Sequence, residues 1–318
     1  MTLLPLLSSI CDTVITHPNV ANAACFQTLP KNTLYVEGYA LDRFFEGAWS
    51  LFPVRQNAVG IIWDSGIPTE MEILHQNTIA AVKTVYGTQI VGLEKTTEPV
   101  KLRINKGDSG RSSGAIENAE VLLDAGQALI EQGANALAVC CLMPDCEDEQ
   151  EDTAYKSGSG VDPIAGLEAM ISHLLVAAFR IPAAHAPVFP YETALPVTDR
   201  LVDPRAASEF IVSTFLPCVL TGLSKAPQFT ASHLGQAGIQ IEDLSALIVP
   251  EDALGSIPVL SAVERKIPIL TIQNNRTLMQ ATPAALGLKD QIIPCTNYQE
   301  ALGQLIALKA GINWPEHF

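Results

Sequence analysis

The chain has 318 residues, 48% of them hydrophobic and 17% charged, which supplies ample apolar material for a core and excludes a mainly disordered state. Nineteen basic residues against 34 acidic ones leave a formal net charge of −15. A duplex-binding surface needs about 6 to 10 Lys or Arg contacts to phosphate, so nucleic acid is not an expected partner. The sparse charge also suggests surface covered between subunits, and a homo-oligomer is expected.

Residues 1–10 are apolar but lack a basic n-region and meet Asp12 almost at once, so they do not read as a secretory signal. The longest uncharged run of the C-terminal half, 210–224, contains Pro217 and is shorter than the ~20 residues that cross a bilayer. No membrane partner is therefore expected. The seven cysteines are odd in number and scattered, which disfavours a disulfide framework and favours a reducing cytoplasm or an organelle like it.

In chain order, 57–63 reads as a buried strand, 70–86 as a helix closed by Gly87, and 89–93 as the next strand. A helix is expected at 115–132, ending at Gly133, and a strand at 136–142. Helix 163–179, strand 181–184 and helix 204–216 follow; helix 163–179 is apolar round most of its circumference and is expected at the centre, with His173 in the core. The pattern closes with strand 246–250, helix 257–265, strand 267–272, a short strand near Ile292 and helix 298–309. Such alternation predicts an α/β fold, a largely parallel sheet flanked by helices in a Rossmann-like three-layer arrangement. The expected organisation is an arm at 1–55, a lobe at 56–160 and a second lobe at 161–318, hinged at the acidic segment 145–152.

In open parallel sheets ligands gather at the carboxyl ends of the strands, which is where candidates are sought. Lys106, Gly107, Asp108, Ser109, Gly110, Arg111, Ser112, Ser113 and Gly114 lead into the expected 115–132 helix, an arrangement suited to cradle an anion. The alternative is a loop whose serines merely cap the helix. A second glycine-rich turn with Lys156, Ser157 and Ser159 precedes Asp162 and Pro163, placed as N-cap and first residue of the next helix. Arg276, after strand 267–272, is a further clamp for carboxylate or phosphate.

His185 lies among small residues at an expected strand end, and an imidazole, with its reference pKa of about 6.5, is the side chain suited to general acid/base work. Asp64 ends the first strand and either orients a ligand hydroxyl or caps a turn. Cys140 and Cys141 are adjacent, so only one faces a given side of the sheet. Their strand has a similarity to the first cysteine strand of aspartate/glutamate racemases, which implies a thiol-dependent alternative using Cys141 or Cys140 with Cys218. No complete nucleotide fingerprint and no zinc spacing occurs, so neither a cofactor nor a metal is expected.

Several stretches carry a family resemblance: Glu37-Gly-Tyr-Ala-Leu-Asp-Arg43, Gly-Val-Asp-Pro-Ile-Ala-Gly-Leu-Glu168 running into His173, Ala183-Ala-His-Ala-Pro187, Val202-Asp-Pro-Arg-Ala206 and Phe215-Leu-Pro-Cys218. Together these resemble the cyanobacterial and plastid domain-of-unknown-function family 3326. That resemblance implies a cytoplasmic or stromal protein and carries no assigned reaction. The leading expectation is an enzyme acting on a small anionic metabolite; the others are the cysteine-dependent isomerase and a non-catalytic ligand-binding or assembly protein. Glu37–Arg43, rich in charge and flanked by aromatics, is expected to line the crevice or a subunit contact.

Overall fold

A computed structural model describes residues 3–17, 29–106, 112–144, 162, 164–189, 214–231 and 238–312. Its elements run α1 (Leu3–Ile10), β1 (Val14–Thr16), β2 (Thr33–Tyr35), α2 (Gly38–Phe45), β3 (Trp49–Phe52), β4 (Val59–Trp63), α3 (Thr69–Tyr86) and β5 (Ile90–Lys95). Then come β6 (Leu102–Lys106), β7 (Ser112–Ile116), α4 (Glu120–Glu131), β8 (Ala136–Leu142), α5 (Ala165–Phe179), β9 (Ala183–Val188), α6 (Leu216–Lys225) and β10 (Gln228–Ala231). The last are β11 (Leu247–Pro250), α7 (Ile257–Glu264), β12 (Ile269–Ile272), α8 (Pro283–Leu286), β13 (Ile293–Cys295) and α9 (Tyr298–Lys309). The chain forms two compact units, one containing Ile15–Ala40 and Pro53–Phe229, the other Thr2–Val14, Leu41–Phe52 and Thr230–Phe318.

In the first unit β5, β4, β8 and β9 form a parallel sheet in that order. The chain steps from β4 out to β5 and then reverses through β8 to β9, so the switch point lies between β4 and β8. Every residue of β4 is buried, as a central parallel strand covered on both faces requires. One face, including Ile61, Trp63 and Cys140, packs on α3 through Met71 and on α6 through Leu220. Across the other face α4 approaches closely: a Cβ at Gly60 would stand 2.9 Å from the Leu129 Cβ, and one at Gly126 would stand 2.7 Å from the Phe179 ring. At the amino ends of the strands the buried Asn57 donates to Leu223 and Ala226 carbonyls at 2.8 Å and accepts from Gln228, tying α6 to the sheet.

Helix α3 matches expectation, with Gly87 in the left-handed region (φ 64°) donating its N–H to Lys83. The expected 115–132 helix does not. Residues 102–106 and 112–116 pair antiparallel, Leu102 opposite Ile116 and Lys106 opposite Ser112, and α4 starts only at Glu120. Pairing with β6 claims the five residues of β7. Gly114 permits it, since a Cβ there would lie 2.7 Å from the Arg103 carbonyl and 2.9 Å from Leu167. Asn118 closes the hairpin base, accepting the Lys101 N–H at 2.7 Å and donating to Pro99.

β9 extends to Val188, so His185 sits within a strand rather than at its end. α5 lies along one face of the sheet, burying Leu167, Ile171, Leu175 and Val176 while Met170 is exposed, which corrects its expected central position. Most of the expected 204–216 helix lies outside the described residues; the described helix α6 begins at Leu216, with Pro217 in its first turn. The expected hinge is also corrected: β8 and β9, on either side of 145–152, are hydrogen-bonded neighbours in one sheet, and the units divide after Phe229. The segment 1–55 is shared between both units.

In the second unit β11, β12 and β13 pair in parallel in sequence order. β12, α9 and α1 share a core containing Leu7, Ile272, Cys295 and Leu305. Asn297 caps α9 by accepting the Glu300 N–H at 3.0 Å. Among the described residues no helix is long and apolar enough to cross a membrane, and Cys140, Cys141 and Cys295 are free thiols.

Candidate functional site

Strand alternation decides where His185 points. Ala184, Ala186 and Val188 fill the core beneath α6, so His185 belongs to the opposite face, which α5 covers. Glu168, in the first turn of α5, places Oε1 3.4 Å from His185 Nδ1. The histidine side chain is 2% exposed and the glutamate 26%, so the imidazole is enclosed while its carboxylate reaches solvent. Nε2 is buried and has no partner among the described residues. A carboxylate on one ring nitrogen fixes ring orientation and leaves the other for chemistry.

A second carboxylate–imidazole pair takes its imidazole from the same helix. His173 Nε2 lies 2.8 Å from Glu37 Oε1. The other glutamate oxygen accepts the N–H groups of Tyr39 at 2.9 Å and Ala40 at 3.4 Å, so buried Glu37 also caps the start of α2. Gly38 leaves the space that lets His17 join: a Cβ there would be 3.0 Å from His173 Nε2 and 3.3 Å from His17 Nε2. Burial holds the His17 imidazole below its ordinary value; the field of Glu37 opposes this and that of His173 reinforces it. The His173 side chain is 42% exposed, which corrects its expected core placement.

Tyr35 packs its ring 3.4 Å from the position of a Cβ on Gly222 of α6. Burial pushes its phenol far above the usual range, and the nearby Cys218, Glu168 and Glu37 push the same way. Sequence reasoning missed Glu168, Glu37, His17 and Tyr35. The available signal was the concentration of acidic and histidine residues in the very stretches that carry the family pattern.

Asp64 is buried and spent on backbone: Oδ1 accepts from Gly66 and Val100 at 2.9 Å, Oδ2 from Leu142 at 3.0 Å. Cys140 and Cys141 are fully buried, and burial drives both thiols well above their ordinary value; Asp64 adds to this at Cys141. The neutral thiol is a poor nucleophile or base. Ser112 begins β7 and Ser113 lies within it, so these two serines belong to a strand and do not cap the expected helix. Ser109, Arg111, Lys156, Ser157 and Ser159 lie outside the described residues. Arg276 is exposed in the second unit, whereas His185 belongs to the first. Among the described residues no group of three or more His, Cys, Asp or Glu is arranged to hold a metal.

These features define an α/β protein with parallel sheets flanked by helices and a carboxylate-held imidazole on its edge strand. The chain belongs to the DUF3326 family, described as a protein of unknown function, whose model matches residues 2–316. It is similar to an uncharacterized lipoprotein of a Synechococcus strain, 40% identical over 308 residues that span 96% of this chain and 84% of the relative. No solved structure matches it.

Proposed function

We propose that the protein is an enzyme acting on a small carboxylate- or phosphate-bearing metabolite, with His185 as general acid/base and Glu168 as the carboxylate that orients it. The carrying observation is the asymmetry of one ring: Nδ1 faces Glu168 at 3.4 Å while the buried Nε2 lacks a partner among the described residues. An orphaned buried nitrogen costs stability, about 1 to 3 kcal/mol, that a bound ligand would recover. Support for an anionic substrate comes from the glycine- and hydroxyl-rich stretches 106–114 and 156–162, with Arg111 and Lys156.

For location we propose the cytoplasm or stroma. The Synechococcus relative is called a lipoprotein, a name that makes membrane attachment the competing reading. In this chain Leu7 of α1 and Cys11 after it pack into the core of the second unit, which supports a working form that keeps α1. Sedimentation of membranes from the source cells, probed for this chain, decides between the two.

Native mass spectrometry of the purified protein, beside a denatured sample, tests the enzymatic reading. A retained metabolite with a carboxylate or phosphate is expected, and the same spectrum reads the subunit number, for which a homo-oligomer is proposed. His185→Ala is expected to keep that metabolite bound while lowering its conversion by about 100-fold or more. Undiminished conversion by the variant would remove His185 from the mechanism.

A further inference from the structure

We propose, resting on the homo-oligomer reading, that α7 and the loop entering α8 form a self-complementary surface of the second unit on which a second copy of this chain docks. Among the described residues, the exposed large apolar side chains Ile257, Leu260, Leu278, Met279 and Leu286 fall on α7, α8 and the loop between β12 and α8. Backbone contacts draw these segments together. The Leu254 N–H donates to the Ala281 carbonyl at 2.9 Å, and a Cβ on Gly255 would stand 3.3 Å from that of Ala281. The loop that carries Leu278 and Met279 therefore lies against the turn that starts α7. Exposed apolar side chains gathered in one patch mark an interaction surface, whereas single ones do not.

That loop is held in a fixed shape. Asp252, buried after β11, accepts the Thr277 N–H at 3.0 Å and the Thr277 hydroxyl at 2.8 Å. The same hydroxyl oxygen accepts the Met279 N–H at 3.1 Å. A buried carboxylate is thus devoted to a turn whose next side chain, Leu278, is left 65% exposed. Fixing an apolar anchor beforehand removes the ordering cost that a loose loop would meet on binding.

The charges select the occupant. Arg276, exposed two residues before Leu278, makes no ion pair among the described residues. On α7 the exposed residues Ile257, Leu260 and Glu264 follow the i, i+3, i+7 spacing of one helix face. The Glu264 side chain is 80% exposed, and its ion pair among the described residues is with the adjacent Arg265 at 3.6 Å. One patch therefore carries both an apolar knob beside a cation and an apolar row ending in an anion. A two-fold axis sets each half on its complement, Leu278 of one copy on Leu260 of the other and Arg276 opposite Glu264, with both contacts made twice. A planar guanidinium suits that carboxylate. Two copies that each carry a net charge of −15 repel at long range, and contact is favoured where cation and anion meet reciprocally.

The test is sedimentation velocity of the full chain at about 1 to 100 µM. A dimer, or a larger oligomer containing it, is expected to form as concentration rises. Leu278→Ser and Leu260→Ser are each expected to raise the dissociation constant about 10-fold or more. Ile73→Ser, at an exposed apolar side chain of the first unit, is the control and is expected to change nothing. Arg276→Glu and Glu264→Arg are each expected to weaken association, and the two together to restore most of it. That rescue comes from neither misfolding nor a change in net charge, so it keeps the proposal testable should a leucine variant fail to fold. An oligomer that persists unchanged in the four single variants, or that Ile73→Ser weakens equally, overturns this surface and leaves the homo-oligomer reading standing. A monomer throughout the concentration range overturns both and leaves the patch to a different partner.

Discussion

Asp64, following the last residue of β4, accepts the backbone N–H of Leu142, the last residue of β8, at 3.0 Å. Those strands flank the switch point of the sheet, where an open α/β fold leaves a crevice for ligand. Here the Asp64 carboxylate is committed to backbone, and through Gly66 and Val100 it also pins the loops after β4 and β5.

Asp64→Asn tests the staple. Asn offers one acceptor oxygen where the carboxylate offers two, so whichever way the amide turns, an NH2 group faces a buried N–H. With hydrogen bonds to charged groups worth about 1.5 to 3 kcal/mol, unfolding stability is expected to fall by roughly 2 to 4 kcal/mol. Urea denaturation measures this; an unchanged midpoint would mean that Asp64 holds nothing together.

Cys140 and Cys141 give a second expected outcome. Fully buried, with thiols pushed far above their ordinary value, they present almost no thiolate at neutral pH. Iodoacetamide is therefore expected to modify neither in the folded protein and both after unfolding, as read by peptide mass spectrometry. Rapid modification of Cys141 in the native state would restore the thiol-dependent reading.

What the sequence exposed and what it hid follow from the range of the interactions. β4, β8 and α3 are local signals: uninterrupted apolar runs for central parallel strands, 3.6-residue periodicity and a C-terminal glycine for the helix. α9 begins at an asparagine cap for the same reason. The β6–β7 hairpin was not legible, because SSGAI carries no strand signal until LRINK is beside it, and Ile116 fits a helical stripe equally well. The site behaves likewise. His185 is recognisable as a titrating group, but its meaning depends on Glu168 from another element, and that of His173 on Glu37 far earlier in the chain. Pairing across elements is a tertiary fact that composition cannot report.

Gly114 supplies a packing prediction. It lies in β7, where an added methyl would stand 2.7 Å from a backbone carbonyl, that of Arg103, and 2.9 Å from Leu167 of α5. Backbone on one side cannot swing away as a flexible side chain does, so Gly114→Ala must displace the hairpin or the helix that carries Glu168. A loss of about 1 to 3 kcal/mol is expected. Gly87→Ala is the control: its φ of 64° brings strain but no neighbour lies within 4 Å. Only Gly114→Ala is expected to shift the His185 ring resonances; a shift of equal size in both variants would refute the packing account.

His75 sets a pH dependence of stability. It is buried in α3, its ring 5.2 Å from that of Trp63, with Nδ1 2.7 Å from the Met71 carbonyl and Nε2 lacking a partner among the described residues. Since a carbonyl only accepts, the neutral tautomer carries its proton on Nδ1. Burial lowers its pKa below the ordinary value, with the Met71 hydrogen bond opposing in part. Its contribution is therefore complete above the unfolded pKa of about 6.5 and is lost as pH falls toward the lower folded value, where the unfolded chain binds a proton that the native state refuses. Between pH 8 and 5 the loss reaches at most about 2 kcal/mol from this one group. His75→Leu, similar in bulk and apolar against Trp63, is expected to flatten that part of the profile while changing stability at pH 8 by less than about 1.5 kcal/mol. Urea unfolding of both proteins at the two pH values checks it, and an equal acid-induced loss in the variant would assign the dependence to other groups.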